Sequence, residues 1–241
     1  MNLAIIGAGE SSRLRNEGLQ VPKHLISLDG EYLIERTLRI ARENGIQMAF
    51  CIINEKEHLL KQYLSSTDFG IPLELIIKST PSSMHSLFEL SPFLKNDPFC
   101  LATVDSVFDE SEFSDFINYS KAQDNADGVL AITGFIDDEK PLCVALDECD
   151  RIFRFSDNKE GYNWATGGLY YFTPGIFNEV QKALKYRIER LRNFLRLLVS
   201  EGYVLKGFSF SKMIDIDHFS DIKQAHLFLK EIKEKHSGRN I

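Results

Sequence analysis

The first strand and the loop after it decide the fold of this chain. They read Leu3-Ala4-Ile5-Ile6-Gly7-Ala8-Gly9-Glu10-Ser11-Ser12-Arg13-Leu14, and Pro22-Lys23-His24-Leu25 comes shortly after them. Residues 3–6 are short and apolar, which is typical of a buried strand. A glycine-rich turn directly after such a strand lets backbone N–H groups point at a phosphate without interference from side chains. Arg13 and Lys23 add two cations, so the stretch predicts a triphosphate site at the end of the first strand.

Composition sets the broad class. The 241 residues can form one large α/β domain or two small ones, and the hydrophobic fraction of 44% is that of an ordinary globular protein. A net charge of −7 argues against bulk binding to nucleic acid or to an anionic membrane. No apolar run approaches the roughly 20 residues of a spanning helix. No basic, cleavable leader follows Met1, and the scattered cysteines lack C-x-x-C spacing, so we expect a cytoplasmic protein with free thiols.

The first half of the chain alternates strands with helices. We predict strands at 3–6, 48–53, 73–77 and 99–104, and helices at 32–43, 57–64 and 86–94. This alternation of buried strands and helices predicts a Rossmann-like, three-layer α/β/α fold with a mostly parallel, mixed sheet. Ligands bind such sheets beyond the carboxyl ends of the strands, where Gly7 and Asp105 lie. The first helix is expected only after Gly30, which leaves a long loop behind the first strand.

The pattern changes after residue 110. We predict a helix at 112–122, short strands at 128–133, 141–146, 151–155 and 165–172, helices at 174–182 and 187–200, a strand at 203–208 and a last helix at 218–234. The arginines of the second of these late helices, at 187, 190, 192 and 196, are expected to form its solvated face. We expect one domain over 1–241, with a nucleotide-binding half at 1–110 and an acceptor-binding half at 111–234. The polar tail 235–241 is expected to fray, and the sequence leaves open whether the chain forms homo-oligomers.

Two common nucleotide motifs do not fit the glycine-rich loop. The dinucleotide fingerprint needs a glycine at position 12, where this chain has Ser12, and it needs a helix to begin at once. The Walker pattern fails because no Gly-Lys-Ser/Thr is present.

A third motif does fit. The loop and the Pro22-Lys23-His24-Leu25 segment resemble the sugar-phosphate nucleotidyltransferases (NDP-sugar pyrophosphorylases), whose signature is roughly L-A-A-G-x-G-[ST]-R-[LM] followed by P-K-x-L. The resemblance implies an enzyme that uses Mg²⁺ to join an NTP to a phosphorylated acceptor, above all a sugar-1-phosphate, and releases pyrophosphate. It implies that Arg13 binds the departing β- and γ-phosphates and that Lys23 binds the α-phosphate. It also implies a phosphate-binding loop formed by Gly7, Ala8, Gly9, Glu10, Ser11 and Ser12. The chain departs from the signature at Gly7, where alanine is usual, and at Ser11, where a second glycine is usual.

The resemblance also supplies candidate metal ligands. Asp105 ends a strand that resembles the family's G-D-x-x-F, whose aspartate holds Mg²⁺, and magnesium generally takes one or two protein carboxylates together with phosphate oxygens. A second carboxylate comes from Asp215-Ile216-Asp217, which resembles the family's D-[IV]-D-T-P-E-D-L. Both aspartates point to one side of an extended segment. We favour Asp215 as the ligand and keep Asp217, which could instead cap the last helix, as the alternative.

The remaining candidates concern the base and the acceptor. Residues 80–87 resemble the family's nucleobase loop, with an ending like that of the cytidylyltransferase branch, which makes Ser82, Ser83 and Ser86 candidate nucleotide contacts. Residues 155–159 loosely resemble F-x-E-K-P, whose lysine binds the acceptor phosphate, although no proline follows Lys159. By the same resemblance, glycine in 167–172 leaves room for a sugar. The candidate acceptor-binding residues are therefore Lys159, Gly167, Gly168 and Trp164. Trp164 either lines the acceptor pocket or belongs to the core.

Three alternatives stay open. The first is a cytidylyltransferase that acts on phosphocholine or another non-sugar phosphate. The second is a metal-dependent glycosyltransferase of related fold, which would carry D-x-D at a strand end, whereas here the only D-x-D comes late, at 215–217. The third is a non-catalytic protein that binds a nucleotide or a sugar phosphate.

Overall fold

A mixed sheet lies at the centre of the computed structural model, which describes residues 1–7 and 12–237. In that part of the chain the sheet has nine strands: β1 (Asn2–Gly7), β4 (Met48–Ile53), β5 (Leu73–Ile77), β6 (Phe99–Thr103), β8 (Gly128–Thr133), β9 (Cys143–Leu146), β10 (Ile152–Ser156), β11 (Trp164–Phe172) and β12 (Leu205–Phe210). Two small antiparallel pairs stand apart from it, β2 (Ser27–Leu28) with β3 (Glu31–Tyr32) and β7 (Ser106–Phe108) with β13 (Met213–Asp215).

The order of the strands brings two predicted site segments to one edge of the sheet. Strand β1 lies between β4 and β6 and is parallel to both, and β4 is parallel to β5. Strand β11 runs antiparallel to β6 and β8, and β12 is parallel to β8. Because β1 and β6 are parallel neighbours, their carboxyl ends, at Gly7 and just before Asp105, meet at the same edge. The predicted mostly parallel, mixed sheet is confirmed.

Helices cover both faces of the sheet, as predicted for three layers. They are α1 (Ser12–Asn16), α2 (Leu33–Glu43), α3 (His58–Ser66), α4 (Ser83–Leu94), α5 (Glu110–Lys121), α6 (Val180–Lys185), α7 (Leu191–Ser200) and α8 (Phe219–Ser237). One apolar layer joins the sheet to α2, α3, α5 and α8, and the other joins it to α4, α6 and α7. The side chains of β1 alternate between the two layers, with Leu3 and Ile5 in the first and Ala4 and Ile6 in the second.

Several helices differ from the sequence prediction, among them α1, α7 and α8. Helix α1 forms before Gly30, where we expected only loop; its Leu14 is fully buried, and the N–H of Leu19 donates to the Leu14 carbonyl. Helix α7 begins at Leu191 rather than at residue 187. Helix α8 continues to Ser237, so residues 235–237 of the expected frayed tail are helical. The rest of that tail, 238–241, lies outside the described residues.

Cys51, Cys100 and Cys143 are buried, Cys149 is exposed, and all are free thiols. Among the residues described, no helix combines the length and the apolar character that crossing a membrane requires.

Candidate active site

A buried lysine stands at the centre of the site. Pro22 precedes a short 3₁₀ turn, Lys23–Leu25, which places the Lys23 side chain under the carboxyl edge of the sheet, where it is only 7% exposed. Its Nζ donates to Asp105 Oδ2 at 2.6 Å and to Asp217 Oδ1 at 2.9 Å. Burial alone lowers the pKa of the ammonium group, but the two carboxylates outweigh it and hold the pKa of Lys23 above its usual range. Lys23 is therefore charged at every physiological pH.

Asp105 and Asp215 form a pair of neighbouring carboxyl groups in unequal surroundings. Pairing of β7 with β13 sets Asp215 opposite Ser106, whose hydroxyl donates to Asp215 Oδ1 at 2.7 Å. Burial opposes ionisation of Asp105, but the Lys23 ammonium holds the pKa of Asp105 below its usual value. Burial, and after it the Asp105 charge, raise the pKa of Asp215 to about 7. The Lys23 charge and the Ser106 hydrogen bond lower the pKa of Asp215, but they do not outweigh burial and the Asp105 charge.

Asp217 differs from Asp215 because cations already neutralise it. It accepts from Lys23 and forms an ion pair with Arg13. The backbone N–H groups of Asp217 and His218 donate to the Asp221 carboxylate, at 2.9 and 2.7 Å, so Asp221 rather than Asp217 caps the start of α8. Asp217 is therefore an ion-pair partner of the predicted phosphate-binding cations.

The donor set at Asp105 and Asp215 suits a hard divalent cation. In the described ranges no cluster of three or more histidine, cysteine, aspartate or glutamate side chains is arranged to hold a metal ion. Magnesium does not need such a cluster, because it commonly takes one or two carboxylates together with phosphate oxygens and water. A cation between these two carboxylates would also offset the repulsion that raises the pKa of Asp215.

Gly7 marks the start of the predicted phosphate-binding loop, and its lack of a side chain serves close packing. A Cβ added to Gly7 would collide with Nε2 of His24, whose ring is 4% exposed. Burial lowers the pKa of His24 to about 4, so the ring is neutral. Ala8, Gly9, Glu10 and Ser11, together with the side chain of Ser12, lie outside the described residues, and their predicted phosphate contacts stay predictions.

The predicted nucleobase loop is hydrogen-bonded to the start of α7. Ser82 Oγ accepts from the Arg190 N–H at 3.1 Å, and Ser83 Oγ accepts from the Leu191 N–H at 3.2 Å. Ser86 is buried and shares a 2.7 Å hydrogen bond with Thr80. Of the three predicted serines, Ser83 lines a cavity at the carboxyl edge of the sheet.

Two adjoining cavities open at the carboxyl edge and differ in charge. The acidic cavity is lined by six carboxylate residues, Asp137, Asp138, Glu139, Asp215, Asp217 and Asp221, and by apolar groups that include Phe135. The basic cavity is lined by the cations Arg13, Lys140, Arg190 and Arg192, and by neutral residues that include Ser83 and Thr103. The wall between them is formed by Arg13, Asp138 and Asp217, which line both.

The predicted acceptor residues are spread over different surroundings. Gly167 lines the acidic cavity, and a Cβ there would collide with Met213. Gly168 has a φ of +75°, and its Cβ would overlap hydroxyl oxygens at the end of β6 and the start of β7, so glycine lets β11 approach these strands. Trp164 is half-buried against the layer of α4 and α7. Lys159 is exposed and lines neither cavity.

Sequence reasoning missed several residues that line the cavities. Asp138 and Lys140 come from the loop between β8 and β9, and Arg190 and Arg192 from the start of α7. The charged run 137–140 could have indicated a binding site, because it follows a predicted apolar strand and ligands bind beyond the ends of such strands. The arginines gave no such signal, since they fit the polar face of an amphipathic helix.

The fold and the site define a class of protein. It is a Rossmann-like α/β protein with a buried, paired lysine and two charged cavities at the carboxyl edge of its sheet. Within this class the chain belongs to the nucleotidyl transferase family, whose model matches residues 3–232. The resemblance drawn from the sequence motifs, and with it the prediction of a nucleotidyltransferase, is confirmed.

Proteins named as nucleotidyltransferases are similar to this chain over most of its length. The chain is 25% identical to D-glycero-alpha-D-manno-heptose 1-phosphate guanylyltransferase of Campylobacter jejuni subsp. jejuni serotype O:2, over 78% of this chain and 83% of the relative. It is 22% identical to the UTP–glucose-1-phosphate uridylyltransferase AglF of Haloferax volcanii, over 96% and 97%. The solved structure of the inositol-1-phosphate CTP transferase from T. maritima is similar in fold, with a TM-score of 0.81, 22% identity and coverage of 97% and 96%.

Proposed function

We propose that this protein transfers the nucleotidyl group of an NTP to a sugar-1-phosphate, with Mg²⁺, and forms an NDP-sugar and pyrophosphate. The observation that carries the proposal is Lys23, buried and charged between Asp105 and Asp217 beside the end of β1. The names of the relatives support it, because the guanylyltransferase and the uridylyltransferase are both named for sugar-1-phosphates.

The reaction brings two anions together, so positioning and charge neutralisation carry most of the catalysis. An oxygen of the acceptor phosphate attacks the α-phosphorus, a P–O bond forms, and the bond between the α-phosphorus and the bridging oxygen to the β-phosphate breaks. Pyrophosphate leaves with that electron pair. No general base is needed, because the attacking oxygen already carries negative charge.

Lys23 has the donor capacity for this reaction. An ammonium group has three N–H donors, and Asp105 and Asp217 take two of them. The third can donate to an oxygen of the α-phosphate and stabilise the charge that develops on it. Arg13, which Asp217 orients, would hold the β- and γ-phosphates together with the backbone of the phosphate-binding loop. The two carboxylates fix the lysine in place before the substrate arrives.

Asp105 and Asp215 would hold the Mg²⁺ ion. When bound, the ion would neutralise charge on the α-phosphate and help to orient it for in-line attack. The raised pKa of Asp215 supports this proposal, because it reflects first the burial of the carboxyl group and then the like charge of Asp105 beside it.

A second candidate differs in the acceptor only. The acidic cavity carries far more carboxylates than cations, and such a lining suits a cationic ammonium group as well as hydroxyl groups. An amino-alcohol phosphate such as phosphocholine is therefore the second class of acceptor to test.

Release of pyrophosphate from a panel of NTPs tests both candidates. Each NTP is incubated with Mg²⁺ and a sugar-1-phosphate, an amino-sugar-1-phosphate or phosphocholine, and pyrophosphate and the nucleotide product are measured. We expect one pyrophosphate for each NDP-linked product. Binding of NTP without turnover would instead indicate a non-catalytic binding protein, and transfer of a sugar from an NDP-sugar without pyrophosphate would indicate a glycosyltransferase.

A further inference from the structure

Arg190 has a backbone conformation that L-amino acids rarely adopt. Its φ is 69° and its ψ is 142°, a combination close to a region that is essentially reserved for glycine. The Arg190 N–H donates to Ser82, and the N–H of the next residue, Leu191, donates to Ser83, so the segment is held in this shape at the start of α7. Glycine would adopt the same backbone without strain. A side chain retained at such a position suggests a function for that side chain.

The surroundings of Arg190 point to an anion. Its side chain lines the basic cavity with Arg13, Lys140 and Arg192. Arg192 is occupied, since it donates to Asp157 and to the Lys140 carbonyl. Within the described ranges the guanidinium group of Arg190 has no ion pair of its own. A phosphate in the cavity would give it a charge-assisted, bidentate partner.

The contrast between the two cavities orients the acceptor. Most of the charged groups that line the acidic cavity are carboxylates, which repel a phosphate and accept hydrogen bonds from hydroxyl or amino groups. The phosphate of an acceptor whose body lies there must therefore point across the shared wall, past Arg13 and Asp217, into the basic cavity. Lys159, which the motif resemblance suggested for this phosphate, lines neither cavity.

We propose that Arg190, rather than Lys159, binds the phosphate group of the acceptor. The proposal rests on the proposed function, because it places the acceptor beside the nucleotide that Lys23 and Arg13 hold. Arg190 thus contributes mainly to binding of the acceptor, and the NTP phosphates remain with the loop after β1.

The test is the variant Arg190→Gly, which removes the guanidinium group and relieves the backbone strain together. We expect the KM for the acceptor to rise about 10- to 100-fold, in line with the loss of a charge-assisted hydrogen bond, while the KM for NTP stays within about 2-fold. The melting temperature should stay the same or rise, because glycine tolerates this φ and ψ. Arg190→Lys keeps the charge without the bidentate geometry and should recover part of the affinity.

Arg187→Gly is the matched control. Arg187 is also an exposed arginine with positive φ, at 53°, but it does not line the basic cavity. The Arg187→Gly variant loses the same charge and gains the same backbone freedom as Arg190→Gly. Because Arg187 does not line the basic cavity, the KM of this variant for the acceptor should stay close to that of the unmodified protein.

The outcomes separate the two proposals. If the unmodified protein turns over and Arg190→Gly leaves the acceptor KM unchanged, or raises only the KM for NTP, the role of Arg190 is wrong and the proposed function stands. An equal rise in acceptor KM with Arg187→Gly would show that the effect comes from the change in net charge, and it would also overturn the role of Arg190. If the unmodified protein releases no pyrophosphate with any pair of substrates, the proposed function fails and the role of Arg190 fails with it.

Discussion

Replacing Asp215 with asparagine should stabilise the protein in the absence of metal and should also abolish its response to Mg²⁺. Burial and the Asp105 charge raise the pKa of Asp215 from 3.8 to about 7. A carboxyl group whose pKa rises on folding destabilises the folded state wherever it is ionised, by about 1.4 kcal/mol for each tenfold change in proton affinity. The full rise corresponds to about 4 kcal/mol. Because Asp215 is only partly buried, solvent screens the repulsion, and we expect a gain of about 1–2 kcal/mol.

The pH dependence follows from the sign of this change. Below about pH 4 the carboxyl group is protonated in both folded and unfolded chains and costs nothing, whereas above about pH 7 it is ionised in both and the cost is complete. The advantage of Asp215→Asn should therefore be largest near pH 8 and shrink as the pH falls toward about 5. Asparagine keeps an oxygen that can accept from the Ser106 hydroxyl, so that hydrogen bond should survive.

The assay is urea unfolding with a chelator at both pH values, followed by thermal melts over a Mg²⁺ titration with NTP present. Asp217→Asn is the control, because Asp217 is paired with Lys23 and Arg13, and its loss should destabilise the protein. Mg²⁺ should raise the melting temperature of the unmodified protein and leave that of Asp215→Asn unchanged. Lower stability of Asp215→Asn than of the unmodified protein, near pH 8 without metal, would refute the reasoning.

Two further predictions concern glycines that allow close packing at the site. Gly168→Ala combines a positive φ with overlap against the hydroxyl groups of Thr103 and Ser106, and urea unfolding should show a loss of about 2–3 kcal/mol; stability equal to that of the unmodified protein would contradict this packing. Gly7→Ala should collide with His24 and lower stability by about 1–3 kcal/mol, and His24→Ala should cost less stability in the Gly7→Ala protein than in the unmodified one. Strictly additive losses in this double-mutant cycle would show that the two residues do not touch.

The sheet could be predicted from the sequence because its signals are local. The short apolar runs that became β1 and β6 are followed by turn residues, and alternation with amphipathic helices indicates parallel neighbours. Parallel pairing brings the ends of these strands, at Gly7 and just before Asp105, to one edge. The contact of Lys23 with Asp105 depends in addition on the 3₁₀ turn that begins at Lys23.

The start of α7 could not be predicted because contacts distant in sequence determine it. The amphipathic pattern runs without a break from residue 187, yet Arg187 and Arg190 have positive φ and the helix begins at Leu191. Hydrogen bonds to Ser82 and Ser83, more than a hundred residues earlier in the chain, fix that turn. No local propensity for an arginine would indicate this conformation.

The difference between the surroundings of Asp215 and those of Asp217 also depends on tertiary structure. In sequence they are equivalent aspartates, two residues apart on one side of an extended segment. In the fold Asp217 faces Lys23 and Arg13, whereas Asp215 faces Ser106 and the charge of Asp105. The pairing of β7 with β13 gives Asp215 surroundings different from those of Asp217, and it is Asp215 that we propose as a Mg²⁺ ligand.

The catalytic rate of Lys23→Ala tests the central claim most directly. With the best NTP and acceptor of the panel, kcat/KM for pyrophosphate release is compared among the unmodified protein, Lys23→Ala and Lys61→Ala, the last being an exposed lysine on α3. Circular dichroism and gel filtration show whether each variant is folded. We predict that folded Lys23→Ala loses about 10²- to 10⁴-fold in kcat/KM, as expected for a key electrostatic donor, and that Lys61→Ala keeps its activity. Turnover by folded Lys23→Ala close to that of the unmodified protein would contradict the assignment of this lysine to the reaction.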